Sequence, residues 1–245
     1  MTSASASPLT GLVNFDRLAR PYRWLEYLSF GRALERCRFA LLPELASAGK
    51  RTAPSRVLLY GDGDGRFLQR LLTVYPALEV DAVDSSAAML RTAAARLSPD
   101  ARARVRFHHD DALRFTPPPA AGTGGDAGYD LVITHFFLDC FNDNELHRLL
   151  DRLLDRPLDR VGPHLAPDAR WLVSEFAIPN RPLPALAARA LIRLLYIAFR
   201  ILTGLRANHL PDYAAVLAQH GFILSRRKTL LGGLLQSELW LRSTP

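Results

Sequence analysis

Val57-Leu58-Leu59-Tyr60-Gly61-Asp62-Gly63-Asp64-Gly65-Arg66-Phe67 decides how this 245-residue chain is read. Four apolar residues run into glycines at three alternate positions. Phe67, Leu68, Leu71, Leu72 and Val74 then recur on one helical face. That succession describes a buried strand, a tight turn and the start of a helix. Glycine in the turn permits positive φ and lets a ligand come close to the backbone. The N–H groups of the helix's first turn would offer a seat to a carboxylate or phosphate.

The spacing of the glycines narrows the ligand. A dinucleotide site needs G-x-G-x-x-G. Counting from Gly61 and Gly63 puts Arg66 in the third place, and counting from Gly63 and Gly65 puts Leu68 there. The G-x-G-x-G that stands here is the spacing associated with S-adenosylmethionine, and it disfavours a nicotinamide-dependent oxidoreductase. A second apolar run, Leu78-Glu79-Val80-Asp81-Ala82-Val83-Asp84, ends in an acid 23 residues after Gly61. A carboxylate at the tip of the second strand, about 20 residues on, is placed to hold a ribose diol. Capping the helix that follows Ser85-Ser86 is the plainer role for Asp84, and the two are compatible.

Composition excludes several classes. An apolar share of 49% and a charged share of 22% are those of a globular protein. The length suits one large α/β domain with a small appendage. The formal charge is +7, but Lys50 and Lys228 are the only lysines, and the 29 arginines are scattered. A nucleic-acid partner is therefore not expected. Cys37 and Cys140 have no metal-ligand spacing, so the reading is two free thiols, no metal and a cytoplasmic location. Met1–Pro8 lacks the basic and apolar regions of a signal peptide. No apolar run reaches the roughly 18 residues of a membrane span. Oligomeric state is left open.

The remaining pattern gives the architecture. Strands are expected over 56–60, 79–84, 104–108, 129–134 and 170–176. Helices are expected over 64–75 and 86–97, with a third capped by Asn142 and carrying Leu146, Leu149, Leu150, Leu153 and Leu154. Such alternation implies a parallel sheet with helices on both faces. His209-Leu210-Pro211-Asp212-Tyr213 opens a short helix stopped by Gly221. Gly232-Gly233 then divides two last strands into an antiparallel hairpin. From Phe15 to Ala46 the pattern is helical and rich in aromatics, including Tyr22 and Trp24, as a packed cap or a lid would be. Ala185–Leu202 is apolar except for Arg189, Arg193 and Arg200, which share a stripe about 40° wide. Such a helix would lie in a bilayer interface, line a greasy substrate pocket, or be half-buried.

Across residues 50–245 the chain resembles the class I S-adenosylmethionine-dependent methyltransferases. The resemblance rests on Gly61–Gly65, on Val83-Asp84-Ser85-Ser86 with Met89-Leu90, on Asp111-Ala112, on Tyr129-Asp130-Leu131-Val132 and on the terminal antiparallel pair. It implies a Rossmann-like seven-stranded, mostly parallel sheet, with residues 1–49 as an N-terminal tail and helical cap. It further implies that Gly61, Asp62, Gly63 and Gly65 face the methionine end of S-adenosylmethionine. Asp84 would hold the ribose, Ser85 and Met89 the edge of the adenosine pocket, and Asp111 and Ala112 the adenine. Thr134 and His135 would lie near the transferring methyl. Relatives usually carry an acid two residues before the first glycine, where Leu59 stands here, and Asp62 or Asp64 is the available replacement.

Methyl transfer from a sulfonium needs alignment and, for some acceptors, a base. His135 and Asp139 are the catalytic candidates, with His209 and Asp212 behind them. Tyr22, His209 and Tyr213 are candidates for contacting the acceptor. The greasy helix and the aromatic N-terminal segment favour a small, apolar, lipophilic acceptor methylated on oxygen or carbon, with peripheral membrane contact as a further reading. The alternative is a non-catalytic protein that holds the cofactor or a partner on the same fold.

Overall fold

Short apolar runs build a sheet buried on both faces, and the 3.6-residue repeats cover it. The computed structural model describes residues 30, 32–46, 53–118, 128–154, 164–203, 207 and 209–243. The strands are β1 (Arg56–Tyr60), β2 (Glu79–Asp84), β3 (Val105–His109), β4 (Tyr129–His135), β5 (Leu165–Phe176), β6 (Phe222–Leu230) and β7 (Leu235–Arg242). They form one seven-stranded sheet in the order β3-β2-β1-β4-β5-β7-β6. Strand β7 runs antiparallel to both β5 and β6, and the other pairs are parallel. The expected Rossmann-like α/β architecture and its terminal hairpin are therefore present.

The helices are α1 (Ala33–Phe39), α2 (Arg66–Val74), α3 (Ala87–Arg96), α4 (Pro99–Arg102), α5 (Asp143–Leu154), α6 (Pro182–Thr203) and α7 (Tyr213–Gln219). Alternate strand residues point to opposite faces, which separates two cores. Leu58, Tyr60, Val132 and Trp171 pack under Leu146, Leu149 and Leu150 of α5 and Val216 and Leu217 of α7. Val57, Leu59, Leu131, Ile133 and Leu172 pack under Phe67, Leu68 and Leu71 of α2, with Leu41, Leu42 and Leu45. Asn142 and Glu145 exchange bonds at the start of α5 (3.0 and 3.1 Å), the expected cap.

Several boundaries shift from the sequence reading, those of β5 and β4 among them. β5 begins at Leu165, five residues before the expected start, because Pro167 and Asp168 obscure the pattern there. A register shift between Tyr129 and Leu131 accommodates them, since a proline needs no ladder partner at such an irregularity. β4 also runs one residue further, taking His135 into the strand. Of the N-terminal segment, Leu34 and Cys37 of α1 pack directly on Leu235 of β7.

One buried charge ties the parallel strands together. Asp81 on β2 is fully buried and accepts from Arg106 at both oxygens (2.8 Å each). It also meets His108 Nε2 at 2.7 Å and accepts from the Tyr129 hydroxyl at 2.8 Å. Burial opposes its ionisation, but the bonds from His108, Arg106 and Tyr129 win and hold the carboxyl well below the usual aspartate range. Replacing Asp81→Ala should cost roughly 3–5 kcal/mol in urea unfolding, because Tyr129 and Arg106 lose their buried partner. The wild-type contribution should be complete above about pH 4 and fade as the pH falls below it. Unchanged unfolding midpoints would contradict this.

Candidate active site

The strand order reverses between β1 and β4, and ligands of such sheets collect outside the carboxyl ends at that point. Gly61 leaves β1 with φ 60, and its amide donates to the Val83 carbonyl at 3.0 Å. A Cβ on Gly61 would stand 2.5 Å from the Phe137 ring. Phe137 itself stacks on Tyr60, with centroids 5.6 Å apart and 13° between the planes. Gly65 precedes α2 with φ 80, where a Cβ would meet Ala93 of α3 at 2.5 Å. The glycines thus bring an aromatic ring and a second helix against bare backbone.

The first turn of α2 corrects one expectation. Leu68 N–H donates to Asp62 Oδ2 at 3.1 Å, so the chain's own carboxylate occupies part of the seat reserved above for a carboxylate or phosphate. Asp62 Oδ1 is buried with no partner among the described residues. Burial, opposed in part by the Leu68 amide, pushes its pKa up to about 7. Asp64 lies beside it but is committed to Arg66 and Arg96 at 2.9 Å each. An acidic turn repels a pyrophosphate and suits a cation such as an ammonium or sulfonium. Leu59, where an acid was expected, is buried in the core under α2.

The other cofactor candidates line the same edge of the sheet. Asp84 is half-buried at the tip of β2, with Oδ1 accepting from Ser86 N–H at 2.8 Å. Ser86 rather than Asp84 caps α3, through Met89 N–H at 3.2 Å. The Ser85 carbonyl meets His109 Nε2 at 3.0 Å, and Met89 is buried. Asp111 shapes the turn after β3, its Oδ1 accepting from Leu113 N–H at 2.9 Å, and Ala112 is buried next to it. The Thr134 hydroxyl accepts from Trp171 Nε1 at 3.1 Å within the core, leaving its backbone at the tip of β4. Unpaired Asp62 Oδ1, the glycine backbone and the two strand-end carboxylates suit a nucleoside bearing a cationic amino-acid tail.

The candidate bases have different surroundings. His135 is buried edge-on to Phe67, with centroids 4.3 Å apart, and neither ring nitrogen has a partner among the described residues. Burial, with Arg38 nearby, keeps it neutral. Asp139 lies half-buried in the short turn Leu138–Cys140, and burial pushes its pKa up to about 6. Cys140 Sγ donates to Asp139 Oδ1 at 3.6 Å, and the Tyr196 hydroxyl of α6 donates to the Asp139 carbonyl at 3.0 Å. His209 is exposed beside Asp143 Oδ2 at 3.6 Å. Asp212 caps α7 through Ala215 N–H at 3.0 Å. Tyr213 is buried, donating to Glu238 Oε2 at 3.0 Å and accepting from Gln236 Nε2 at 2.6 Å. Tyr22 lies outside the described residues. Among the described residues no three His, Cys, Asp or Glu side chains are grouped to hold a metal.

Sequence reasoning passed over Glu175. This buried residue, next to the end of β5, accepts from Phe137 N–H (2.9 Å) and Leu138 N–H (2.8 Å) at Oε1. Oε2 has no partner among the described residues, and burial together with Asp139 pushes the Glu175 pKa well up. The signal was an acid inside Trp171-Leu172-Val173-Ser174-Glu175-Phe176, close to a strand's carboxyl end.

Fold and site define a Rossmann-like nucleoside-binding enzyme whose glycine turn is acidic. Residues 57–156 match the family model described as a methyltransferase domain. The chain is 32% identical to the ubiquinone/menaquinone biosynthesis C-methyltransferase UbiE of Syntrophotalea carbinolica, covering 94% of this chain and 93% of that one. It is similar in fold to the mitomycin 7-O-methyltransferase MmcR, with a TM-score of 0.59 and 19% identity over 94% of this chain and 61% of that one. It is also similar to the N-methyltransferase NodS of Bradyrhizobium japonicum in complex with S-adenosyl-L-homocysteine (TM-score 0.55, 15% identity, 86% of this chain and 88% of that one). The chain thus spans 61% of the length of the mitomycin enzyme. It belongs to the class I S-adenosylmethionine-dependent methyltransferases, and S-adenosylmethionine is its cofactor.

Asp62 has a consequence for stability. A carboxyl whose pKa is raised on folding destabilises the protein as the pH climbs from about 4 towards about 7. Without cofactor, Asp62→Asn should therefore melt at a higher temperature than the wild type at pH 8 and at the same temperature near pH 3. The gain should be on the order of a few kcal/mol. A variant less stable at pH 8 would show that Asp62 is satisfied in the free protein.

Proposed function

We propose that this enzyme methylates an oxygen or carbon nucleophile on a small, lipophilic acceptor, with Asp139 taking the acceptor's proton. The observation that carries the reading is a half-buried carboxyl, raised to about 6, beside an apolar cluster. Ile192, Tyr196 and Ala207 form that cluster with Cys140, Phe176, Ile178, Leu210 and Leu234. Asp139 is ionised at neutral pH yet basic enough to accept a proton, which is what a general base requires. His135 is the second candidate. Its neutral ring has an open nitrogen, but it sits on the face that packs against α2.

S-Adenosylmethionine supplies an electrophilic methyl group. The chain's residues bind and align it: Asp62 pairs with the α-ammonium in place of the acid absent at Leu59, while Gly61, Gly63 and Gly65 admit the methionine end. Asp84 accepts from the ribose hydroxyls, Ser85 and Met89 edge the adenosine pocket, and Asp111 with Ala112 meets the adenine. Thr134 contributes backbone beside the methyl. On the acceptor side, Tyr22 and His209 are contacts, and Tyr213 acts through the Glu238 network that it anchors. The cofactor domain spans residues 50–245, with 1–49 as its cap, in a cytoplasmic enzyme that makes peripheral membrane contact. Relatives named for C-methylation in quinone biosynthesis and for O-methylation of mitomycin support an apolar acceptor.

Isotopically labelled methyl donor, offered with parallel panels of quinol-like, phenolic and strongly polar acceptors, tests the substrate class. Label should enter the apolar panel, and label confined to the polar panel would overturn the reading. Asp139→Asn should lower kcat by about 10²–10⁴ while leaving S-adenosylhomocysteine affinity unchanged in calorimetry. In the wild type the rate should rise with pH through about 6, and that limb should vanish in the variant. By contrast, Asp62→Asn should weaken S-adenosylhomocysteine binding about tenfold or more at pH 8, since a charge-assisted bond is lost. Wild-type affinity should itself strengthen as the pH rises through about 7. Equal affinities in the two proteins would remove Asp62 from the cofactor site.

A further inference from the structure

Helix α6 carries three lengthwise stripes of different chemistry. Ala188, Ile192 and Tyr196 are buried against the body of the enzyme. Leu183, Leu186, Leu194, Ile197 and Ile201 are exposed at 80, 69, 63, 48 and 78%. At 100° per residue these five fall within about 80° of one another on the opposite side of the helix, along about 27 Å. Arg189, Arg193 and Arg200 are exposed and lie between the two stripes, along one border of the apolar face. None of the three has an ion-pair partner among the described residues. Singly exposed leucines are ordinary, but five large aliphatic side chains in one continuous row mark an interaction surface.

We propose that this face of α6 docks on a bilayer carrying anionic headgroups, with the aliphatic row in the acyl boundary and the arginines at the level of the phosphates. Charge complementarity selects this occupant. Helix α6 carries no acidic residue, so a second copy of the chain meeting the same face would offer these arginines no anionic partner on its own α6, and an antiparallel pairing would bring the two basic stripes together. Residues 1–29 carry Arg17, Arg20 and Arg23 against Asp16 and Glu26, so they offer no anionic match either. An aliphatic face bordered by long cationic side chains is the pattern of helices that lie in a membrane interface. No helix of the described residues is long and apolar enough to cross a membrane, which leaves α6 lying along the surface.

The position of α6 gives the docking a purpose. Its Tyr196 bonds the Asp139 carbonyl, so one helix meets lipid on one side and walls the candidate base on the other. A lipophilic acceptor would reach Asp139 without crossing water. That last step rests on the acceptor reading above, whereas the surface itself does not.

Co-sedimentation of the full chain with vesicles tests the surface without reading methyl transfer. One set is phosphatidylcholine alone, and the other has a third of its lipid replaced by phosphatidylglycerol. The wild type should sediment with the anionic set and weakly with the neutral set. Combined Arg189→Gln, Arg193→Gln and Arg200→Gln should lower partition onto the anionic set about a hundredfold, to the neutral level. Combined Leu186→Gln, Leu194→Gln and Ile201→Gln should abolish sedimentation with both. These side chains are exposed, so both variants should keep the wild-type circular dichroism and S-adenosylhomocysteine affinity. Failure of the wild type to sediment would overturn the proposal, as would an arginine variant that binds anionic vesicles as well as the wild type does. A concentration-dependent dimer dispersed by Leu194→Gln would overturn it in favour of a second copy. Vesicle binding without methylation of any apolar acceptor would leave the surface standing and remove the acceptor reading alone.

Discussion

A phenylalanine ring resting on glycine backbone is the contact from which the site's shape follows. Any side chain at Gly61 would enter the Phe137 ring, and Phe137 is pinned from the other side by its stack on Tyr60. Glu175 holds the same segment by its amides, and Phe136 ahead of it takes φ 52, a conformation that costs a non-glycine residue energy. The ends of β1, β4 and β5 are thereby set relative to one another. Asp139, two residues beyond Phe137, takes its place through that arrangement.

The protein buries carboxyls in two ways, and the contrast separates scaffold from site. Asp81 has every oxygen matched by a donor, and its pKa is held low. Asp62 and Glu175 each keep one oxygen without a partner among the described residues, and their pKa values are pushed up. Leaving a buried carboxyl half-satisfied costs stability, so such a group is retained where a ligand or a proton will meet it. The acidic turn also supplies the physical reason for the cofactor class. Asp62 already occupies the helix start, which leaves room for positive rather than negative charge.

Several positions that carry the family resemblance turn out to be structural. Asp130 in Tyr129-Asp130-Leu131-Val132 accepts from Ser55 N–H (2.8 Å), Ser55 Oγ (2.7 Å) and Arg56 N–H (3.1 Å), which fastens the start of β1. Tyr129 serves Asp81, and the Thr134 side chain serves Trp171. Motif residues therefore include side chains that hold the strands in order, which spacing along the chain does not reveal.

What the sequence determined by itself is local. Short apolar runs located the strands, the 3.6-residue repeat located α2, α3 and α5, and Gly232-Gly233 located the hairpin, because each needs only neighbours along the chain. The acid at the tip of β2 and the failure of the dinucleotide spacing belong to the same class of evidence. Tertiary structure decided ionisation and access. Glu175 lies 38 residues from Phe137 and Tyr196 lies 57 from Asp139, so no periodicity brings them together. The same applies to Tyr213, whose hydroxyl is spent on β7, and to α6, whose three stripes acquire meaning only once one of them is buried. A side chain's charge depends on the dielectric and the partners around it in space, and those are settled only when distant segments pack.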